Sequence, residues 1–222
     1  MKKINIAIIG LGNIGSYLFK YLKENKKILT EKNNCLPVVK YVSAKNKKRK
    51  RKITIKKNQW LNNYLDATKI KDVDLIIELI GGSEGPAKKL VFQALKNKKH
   101  VVTANKALIA KYGDQLAKIA EKNKVNLEFE AAVCGGVPII RSLKEGLIAN
   151  KISKIYGIFN GTSNYILSCM DKDNKDFSEV LLNAKKLGYA EANPISDLNG
   201  DDVSSKLKIL SSLCFNSFLN NN

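Results

Sequence analysis

Three glycines near the start of the chain have the spacing of a phosphate-binding turn. They form a GxGxxG pattern between an apolar run, Lys2–Ile9, and a helical pattern that follows it. The first glycine permits a tight bend, the second lets a pyrophosphate approach the backbone, and the third lets helix and strand pack closely. The helix N-terminus adds free N–H groups and a positive dipole. The pattern predicts dinucleotide binding, with a purely structural turn as the alternative. The predicted contacts are Gly10, Gly12, Asn13, Ile14 and Gly15.

The second predicted strand, residues 36–43, is not followed by an acidic residue. An NAD site normally places a carboxylate there to bind the ribose 2′-hydroxyl, but no Asp or Glu occurs between Glu31 and Asp66. Basic residues follow the strand instead, beginning with Lys45, and would attract a 2′-phosphate. The sequence favours NADP over NAD, with Lys45 as a cofactor contact. The alternative interpretation of the basic residues is an ordinary solvent-exposed loop.

Strand and helix patterns alternate through the first part of the chain. Residues 73–80 are a near-continuous apolar run, typical of a strand covered on both faces. Thr103, Asn105 and Lys106 follow the next strand, His100–Thr103, at the carboxyl end where open α/β sheets bind ligands. Thr103 and Asn105 are therefore candidate cofactor contacts, whereas a lysine such as Lys106 at a strand end is, taken alone, usually solvent-facing. The other predicted elements are helices at 86–96 and 108–121 and a strand at 125–130.

The pattern changes at Pro138, which suits the first turn of a helix through about residue 149. A strand is predicted at residues 151–159, followed by helices that open near Thr162, Asp176 and Asp201. The alternation before this point predicts a parallel, doubly wound Rossmann sheet. We therefore expect an α/β dinucleotide-binding domain over residues 1–137 and a second domain over residues 138–222.

The composition is that of a globular chain with a large positive charge. Its 222 residues include 39 Lys+Arg and 20 Asp+Glu, a formal net charge of +19, and 44% are hydrophobic. No apolar run reaches the roughly 18–20 residues that cross a bilayer. The four cysteines and one histidine are too scattered for a disulfide framework or a zinc site. We expect a cytosolic protein without a membrane partner.

One segment, residues 45–57, carries nine basic side chains and no acidic one. A nucleic-acid patch is one interpretation of such a run. However, no aromatic residue interleaves with the basic ones to stack on bases, and lysine greatly outnumbers arginine through the whole chain. We expect a solvated loop and no nucleic-acid partner.

Five motifs, in the same order, resemble homoserine dehydrogenases over nearly the whole chain. They are GLGNIG at 10–15, VVTANKALIA at 101–110, FEAAVCGGVPII at 129–140, GIFNGTSNYIL at 157–167 and AKKLGYAEANPISDLNGDDVSSK at 184–206. The resemblance implies an oxidoreductase that interconverts L-homoserine and L-aspartate 4-semialdehyde with NAD(P), a step toward threonine, methionine and isoleucine. It also implies that the second domain is an α+β substrate-binding and dimerisation domain, and that the chain forms a homodimer.

The resemblance assigns roles to single residues of the second domain. Lys206 matches the family's proton donor and acceptor, and Lys106 matches a lysine adjacent to cofactor and substrate. Glu191 matches the residue that holds the substrate ammonium group, and Asp202 and Asp197 belong to the same pocket. Asp202 precedes Lys206 by four residues, so the two share a helix face and Asp202 could orient the lysine.

Two other features follow from the resemblance. A sodium ion bound by backbone oxygens is implied for Glu130, Val133, Gly135 and Val137. The turn Asn160-Gly161-Thr162 matches the family's NGT turn, which either caps the following helix or contacts substrate or cofactor.

The chain departs from the family pattern at two positions. Asn193 stands where many family members have Asp, and Ser205 stands where many have His. The chain also stops at Asn222, whereas family members continue further. We expect an incomplete second domain whose apolar faces would meet solvent in a monomer, so that the chain self-associates and has weak or no activity by itself. The residues predicted to be exposed are Ile152, Ile155, Ile158, Phe159, Leu207, Leu210 and Leu213.

Two other functions remain open at this point. One is a catalytically impaired fragment that only binds nucleotide. The other is an aspartate-semialdehyde dehydrogenase, which needs a cysteine nucleophile. Cys134 is the one cysteine in a glycine-rich loop, but His100 precedes a strand of the other predicted domain and is a poor partner for it.

Overall fold

The computed structural model describes residues 1–190 and 194–215. The chain divides into two compact units, Met1–Gly136 and Val137–Asn222. The first unit contains a parallel sheet with helices, and the described part of the second unit is helical.

The first unit is built on five parallel strands in the order β2-β1-β3-β4-β5. Because the order reverses between β1 and β3, the carboxyl ends of these two strands form the topological switch point where such sheets bind ligands. The predicted doubly wound parallel sheet is therefore confirmed. The strands are β1 Lys2–Ile9, β2 Cys35–Ser43, β3 Leu75–Glu78, β4 His100–Thr103 and β5 Leu127–Glu128.

Local signals explain where the helices of this unit begin. Pro86 occupies the first turn of its helix, where its missing N–H has no cost. Asn105 caps the next helix, since its side-chain oxygen accepts a hydrogen bond from Leu108 N at 3.1 Å. One helix, Lys26–Asn33, was not predicted, because it is polar and buries no residue. The helices are α1 Asn13–Glu24, α2 Lys26–Asn33, α3 Pro86–Lys96 and α4 Lys106–Asn123, with 3₁₀ turns at Lys57–Gln59, Tyr64–Thr68 and Glu130–Ala132.

One side of the sheet packs on α1 through a single apolar cluster. Phe19 of α1 meets Ile6 and Ile8 of β1, together with Val42 of β2 and Ile77 of β3. Burying each such side chain stabilises the fold by roughly 1.5–3 kcal/mol relative to leaving it in water. This packing holds α1, and therefore the glycine turn before it, against the carboxyl end of β1.

Two predicted strands of the first unit are shorter than expected. The run at 73–80 forms a strand only over Leu75–Glu78. The strand ends at Glu78 because the Glu78 carboxylate accepts hydrogen bonds from Ile80 N and Gly81 N and so closes a turn. The run at 125–130 pairs with β4 only at Leu127–Glu128, and Glu130 begins a 3₁₀ turn.

The second unit begins with a short helix, α5 Ile139–Arg141, which continues as a π-helix over Ser142–Gly146. The helix predicted through about residue 149 therefore ends earlier. The remaining helices are α6 Gly161–Asp173, α7 Phe177–Leu187, α8 Ile195–Leu198 and α9 Asp201–Phe215. Ile166 of α6 packs against Val180 and Ala184 of α7 and forms a small core with Ala190.

The predicted strand at residues 151–159 is wrong. These residues have no regular secondary structure, and Ile158 is 74% exposed. A strand exists only when a neighbour accepts and donates its backbone hydrogen bonds, and the described part of the second unit contains no strand to pair with it. Apolar alternation alone predicted the strand without indicating a partner.

Candidate functional site

A cleft of about 470 Å³ lies at the carboxyl ends of β1, β3 and β4. This is the switch point of the sheet, where open α/β folds bind their ligands. Its lining includes five of the residues predicted to bind the cofactor, but not Lys45 or Lys106. The lining residues are Gly12, Asn13, Ile14, Gly15, Arg49, Glu78, Leu79, Ile80, Gly81, Ala104 and Asn105.

The three glycines of the turn have different roles. Gly10 has φ +107°, and a Cβ there would lie 2.4 Å from the Leu79 carbonyl oxygen. A Cβ on Gly15 would lie 2.0 Å from the Gly10 carbonyl oxygen, so this position lets helix and turn touch. A Cβ on Gly12 would meet no protein atom within 4 Å. The space beside Gly12 therefore fits the pyrophosphate of a dinucleotide.

The N-terminus of α1 is suited to an anion. Gly12 is its N-cap residue and supplies no side-chain acceptor for the first N–H groups. No acidic residue occurs in the first turn to neutralise the helix dipole. Because this end of α1 lines the cleft, its N–H groups and positive dipole are available to bound phosphates.

Glu78, at the end of β3, organises the opposite wall of the cleft. Its side chain is fully buried. One carboxylate oxygen accepts hydrogen bonds from Ile80 N at 2.7 Å and Gly81 N at 3.0 Å, and the other accepts from the Thr103 hydroxyl. Sequence reasoning did not select Glu78, although an acidic residue inside an otherwise apolar strand was an available signal.

Thr103 and Asn105 extend this network. The Asn105 backbone N–H donates to the Thr103 hydroxyl oxygen at 2.9 Å, and its side-chain amide donates to the Gly82 carbonyl at 2.7 Å. Asn105 lines the cleft, whereas Thr103 is fully buried between Glu78 and Asn105. Thr103 therefore acts through its neighbours and holds the two strand ends together.

Glu84 anchors the glycine-containing turn after β3 to α4. Its carboxylate accepts hydrogen bonds from Lys111 Nζ at 2.7 Å and from Lys88 Nζ at 3.0 Å, and the Tyr112 hydroxyl also donates to it. These donors, Lys111 first, lower the pKa of Glu84 to about 2. The carboxylate is therefore ionised, and keeps this anchor, at neutral pH.

A second group of polar residues surrounds Lys206 on α9. Lys206 Nζ lies 2.7 Å from Asp202 Oδ2 and donates to the Phe159 carbonyl at 2.6 Å. The Asp202 side chain is only 5% exposed and that of Lys206 is 19% exposed. The expected pairing of these two residues on one helix face is present, and the pair is largely shielded from water.

Asn160 links this pair to the NGT turn. Its side-chain amide donates to Asp202 Oδ2 and to Asp197 Oδ1, each at 2.9 Å. Its side-chain oxygen accepts from Ser163 N at 2.8 Å and so caps α6. The turn therefore caps the helix and also binds two predicted pocket carboxylates. Sequence reasoning noted the turn but did not select Asn160 as a site residue.

Asp197 is held by the same turn. Its second carboxylate oxygen lies 3.3 Å from the Thr162 hydroxyl, which donates to the Tyr189 carbonyl at 2.6 Å. The Ser163 hydroxyl donates to the Asp197 backbone carbonyl at 3.0 Å. The described residues thus bring Asp197, Asp202 and Lys206 into one hydrogen-bonded group.

Comparison with known families agrees with this arrangement. A sequence model of the homoserine dehydrogenase NAD-binding domain matches residues 10–130, more than half of the chain, and a second homoserine dehydrogenase model matches residues 138–222. The chain belongs to the homoserine dehydrogenase family.

Individual relatives cover nearly the whole chain. A homoserine dehydrogenase of Bacillus subtilis is 42% identical over 215 residues, which are 97% of this chain and 49% of that protein. The crystal structure of a homoserine dehydrogenase from Thiobacillus denitrificans matches with a TM-score of 0.87 and 41% identity, covering 97% of this chain and 50% of that one. A homoserine dehydrogenase structure from S. aureus at pH 6.0 gives a TM-score of 0.84 and 42% identity, covering 99% and 55%. The chain spans about half the length of the curated relatives it matches.

Two residues predicted to contact the cofactor, Lys45 and Lys106, do not line the cleft. Glu191 and Asn193 lie outside the described residues. Lys106 begins α4 directly after the cleft residue Asn105, and Lys45 is exposed just after β2. Within the described ranges, no helix combines the length and apolar character needed to cross a membrane.

The segment implied to bind sodium follows β5. Glu130 opens a 3₁₀ turn, Val133 is fully buried, and Gly135 is exposed at the end of the first unit. Val137 begins the second unit, and its carbonyl accepts from Ile139 N at 2.8 Å. Among the residues described, side chains of His, Cys, Asp and Glu form no cluster of three that would hold a metal. Backbone oxygens are donors that suit a hard cation such as sodium.

The geometry does not support the aspartate-semialdehyde dehydrogenase alternative. His100 is the first residue of β4, at the amino end of the strand, and its Nδ1 accepts a hydrogen bond from Asn126 N at 3.0 Å. The cleft lies at the carboxyl end of the same strand. His100 therefore faces the wrong edge of the sheet to act as a base for a cysteine at the ligand site.

Proposed function

We propose that this chain interconverts L-homoserine and L-aspartate 4-semialdehyde with NADP, a step toward threonine, methionine and isoleucine. The observation that carries the proposal is the shielded Asp202–Lys206 pair, held by Asn160 and by the Phe159 carbonyl. Such a reaction also needs a site for the nicotinamide cofactor, and the cleft of the first unit supplies it in this proposal. A chain that only binds nucleotide would not need a lysine held in this way.

Lys206 is the proposed proton donor and acceptor. When bound, the nicotinamide cofactor supplies or accepts the hydride. Negative charge then builds on the aldehyde oxygen, and an ammonium group can stabilise and protonate it. Of the three N–H donors of Lys206, Asp202 and Phe159 engage two. The third is the one we assign to the substrate oxygen. In the opposite direction the neutral amine of Lys206 accepts the hydroxyl proton and becomes the ammonium, while the hydride leaves the substrate carbon for the cofactor.

Other residues bind and orient the reactants in this proposal. Asp202 fixes the Lys206 side chain, and Asp197 maintains the NGT turn beside it. Glu191 binds the substrate ammonium group, and Lys106 contacts cofactor and substrate. In the first unit, Gly12, Asn13 and Gly15 bind the pyrophosphate at the start of α1, with Gly10 shaping the turn.

Two features support NADP as the preferred cofactor, with NAD as the second choice. The β2 strand ends at Ser43, and no carboxylate follows before Asp66. Arg49, from the loop after β2, lines the cleft. We assign the 2′-phosphate to Arg49 and Lys45, because a guanidinium binds phosphate through paired N–H donors.

The direct test is reduction of NADP⁺ and of NAD⁺ by this chain with L-homoserine as the substrate. We expect homoserine-dependent NADPH formation, faster than NADH formation at equal cofactor concentration. Phosphate-dependent oxidation of the semialdehyde would contradict the proposal and favour the rival dehydrogenase. Tight NADPH binding without any turnover would favour the nucleotide-binding fragment.

We also propose that the chain self-associates through the second unit. Large apolar side chains of this unit are exposed, among them Ile148 at 75%, Tyr156 at 84% and Leu187 at 65%. Of the seven residues predicted to be exposed, Ile158 and Leu207 are exposed and Leu210 is buried at 3% exposure. The other four, Ile152, Ile155, Phe159 and Leu213, are half-buried, so the prediction of exposed apolar faces holds only in part. Apolar side chains exposed to water favour association. Light scattering should give the mass of a dimer or larger species, and a monomer at every concentration would contradict this.

Two further expectations stay predictions. The four cysteines form no disulfide, which supports a reducing, cytosolic location. A sodium ion at the backbone oxygens of residues 130–137 would stabilise the segment that joins the two units.

A further inference from the structure

The side chain of Arg51 folds back onto the loop that follows β2. Its guanidinium donates to four backbone carbonyls: Nε to Leu11 at 2.9 Å, Nη2 to Asn46 at 2.7 Å, and Nη1 to Arg49 at 2.9 Å and Lys47 at 3.4 Å. Residues 45–50 are exposed, whereas Arg51 is half-buried. Arg51 is therefore the basic residue that turns inward and binds the loop to itself.

The contact with Leu11 joins two parts of the cleft. Leu11 lies between Gly10 and Gly12 in the glycine turn, and Arg49 lines the same cleft as Gly12. Through Arg51, the glycine turn and the backbone of Arg49 are connected by one planar group. The position of Arg49 relative to the pyrophosphate subsite thus depends on Arg51.

The Arg51 guanidinium also contacts Trp60, a residue that pairs with β2. Its Cζ lies 5.7 Å from the centroid of the Trp60 ring, within the range of a cation–π contact. Trp60 forms a bridge with Val42 of β2, and Leu61 N donates to the Val42 carbonyl at 3.0 Å. Arg51 is therefore linked through Trp60 to β2, the edge strand of the sheet.

The loop needs such a device because its own charges repel each other. Nine basic side chains lie within residues 45–57, without an acidic residue among them. Asn46 closes a small turn by accepting from Lys48 N at 3.0 Å and Arg49 N at 3.2 Å. Lys47 Nζ donates to the Asn62 side-chain oxygen at 3.3 Å, and the backbone carbonyls of the loop are held by Arg51. The planar guanidinium fork reaches several carbonyls at once, as a lysine ammonium cannot.

We propose that Arg51 is a positioning residue for recognition of the cofactor 2′-phosphate. It binds the loop backbone and the glycine turn, and thereby presents Arg49 to the phosphate in a preformed arrangement. This inference rests on the proposed preference for NADP. In this proposal Arg51 acts through the planar shape of its guanidinium, which binds several carbonyls, and not through attraction between its positive charge and the phosphate.

The test compares the NADPH and NADH dissociation constants of the whole chain and its variants by calorimetry. Arg51→Lys keeps the charge and loses the fork. We expect the NADPH-over-NADH affinity ratio to fall by roughly tenfold or more, the size of losing one or two charge-assisted hydrogen bonds. Lys57→Ala, which removes a charge from the same basic segment without lining the cleft, should leave the ratio unchanged. Thermal melting of each variant reports whether the fold is intact.

The measurements distinguish failure of the NADP preference from failure of the positioning role of Arg51. Equal affinity of the unsubstituted chain for NADPH and NADH would overturn the NADP preference and this inference with it. A clear preference that survives in Arg51→Lys, or that falls equally in Lys57→Ala, would overturn the positioning role alone. If Arg51→Lys does not fold, Trp60→Leu removes the supporting ring and should lower the ratio severalfold, whereas an unchanged ratio would overturn the inference.

Discussion

Replacing Lys206 with alanine is expected to lower the homoserine-dependent reduction of NADP⁺ by about 10²–10⁴-fold, the usual contribution of a positioned acid or base. Among the described residues of this cluster, Lys206 carries the one ammonium group, which can donate a proton to the developing alkoxide and stabilise its charge. Asp202 and the Phe159 carbonyl accept hydrogen bonds from it. The rate is measured relative to that of the unsubstituted chain under the same conditions.

Cofactor binding serves as the internal control for this prediction. The dinucleotide cleft is formed by residues of the first unit, so the NADPH dissociation constant of Lys206→Ala should stay within about twofold, a difference of less than 0.5 kcal/mol. Lys208→Ala removes a lysine from the same helix, two residues further on, and should retain activity. Equal turnover in Lys206→Ala and the unsubstituted chain would remove Lys206 from the mechanism.

The second large effect is expected at the glycine turn, where one glycine-to-alanine substitution should weaken cofactor binding and another should destabilise the fold. Gly12→Ala places a methyl group where no protein atom lies within 4 Å, with an ordinary φ of −73°. The fold should survive, but NADPH binding should weaken at least about tenfold, a loss of about 1.4 kcal/mol, because the methyl group occupies the pyrophosphate space. Gly15→Ala would place its Cβ 2.0 Å from the Gly10 carbonyl oxygen, and should cost about 1–3 kcal/mol or more of folding free energy.

Thermal melting and calorimetry together check this pair. Gly12→Ala should melt close to the unsubstituted chain and lose affinity, whereas Gly15→Ala should melt at a lower temperature. Gly113→Ala is the matched control, because its Cβ would make only an ordinary 3.4 Å contact with Ile109 inside α4, where alanine is favoured over glycine. Unchanged NADPH affinity in Gly12→Ala would show that the pyrophosphate does not lie beside Gly12.

Much of the first unit was predictable because its signals are local. The strand Lys2–Ile9, the helix Pro86–Lys96 and the strand His100–Thr103 have the predicted bounds. The first two elements are specified by an apolar period next to a glycine or proline, and His100–Thr103 is specified by a short run of β-branched residues. The position of the ligand cleft followed from the same signals, since it lies at the carboxyl ends of the predicted strands.

The sequence by itself determined the parts of the site that lie within one turn of chain. The glycine turn and the pairing of Asp202 with Lys206 depend on fixed spacings, and both are present as expected. The prediction of a strand at 151–159 was wrong because a strand also needs a hydrogen-bonding partner, which apolar alternation does not reveal.

Only the tertiary structure decided which distant polar groups complete the site. Asn160 reaches Asp202 across 42 residues, Thr103 reaches Glu78 across 25, and Arg51 reaches Leu11 across 40. Such hydrogen bonds leave no periodic pattern, since they arise only when packing brings separate elements together and buried polar groups must find partners. For the same reason Arg49 lines the cleft while Lys45 does not, although both follow the same strand.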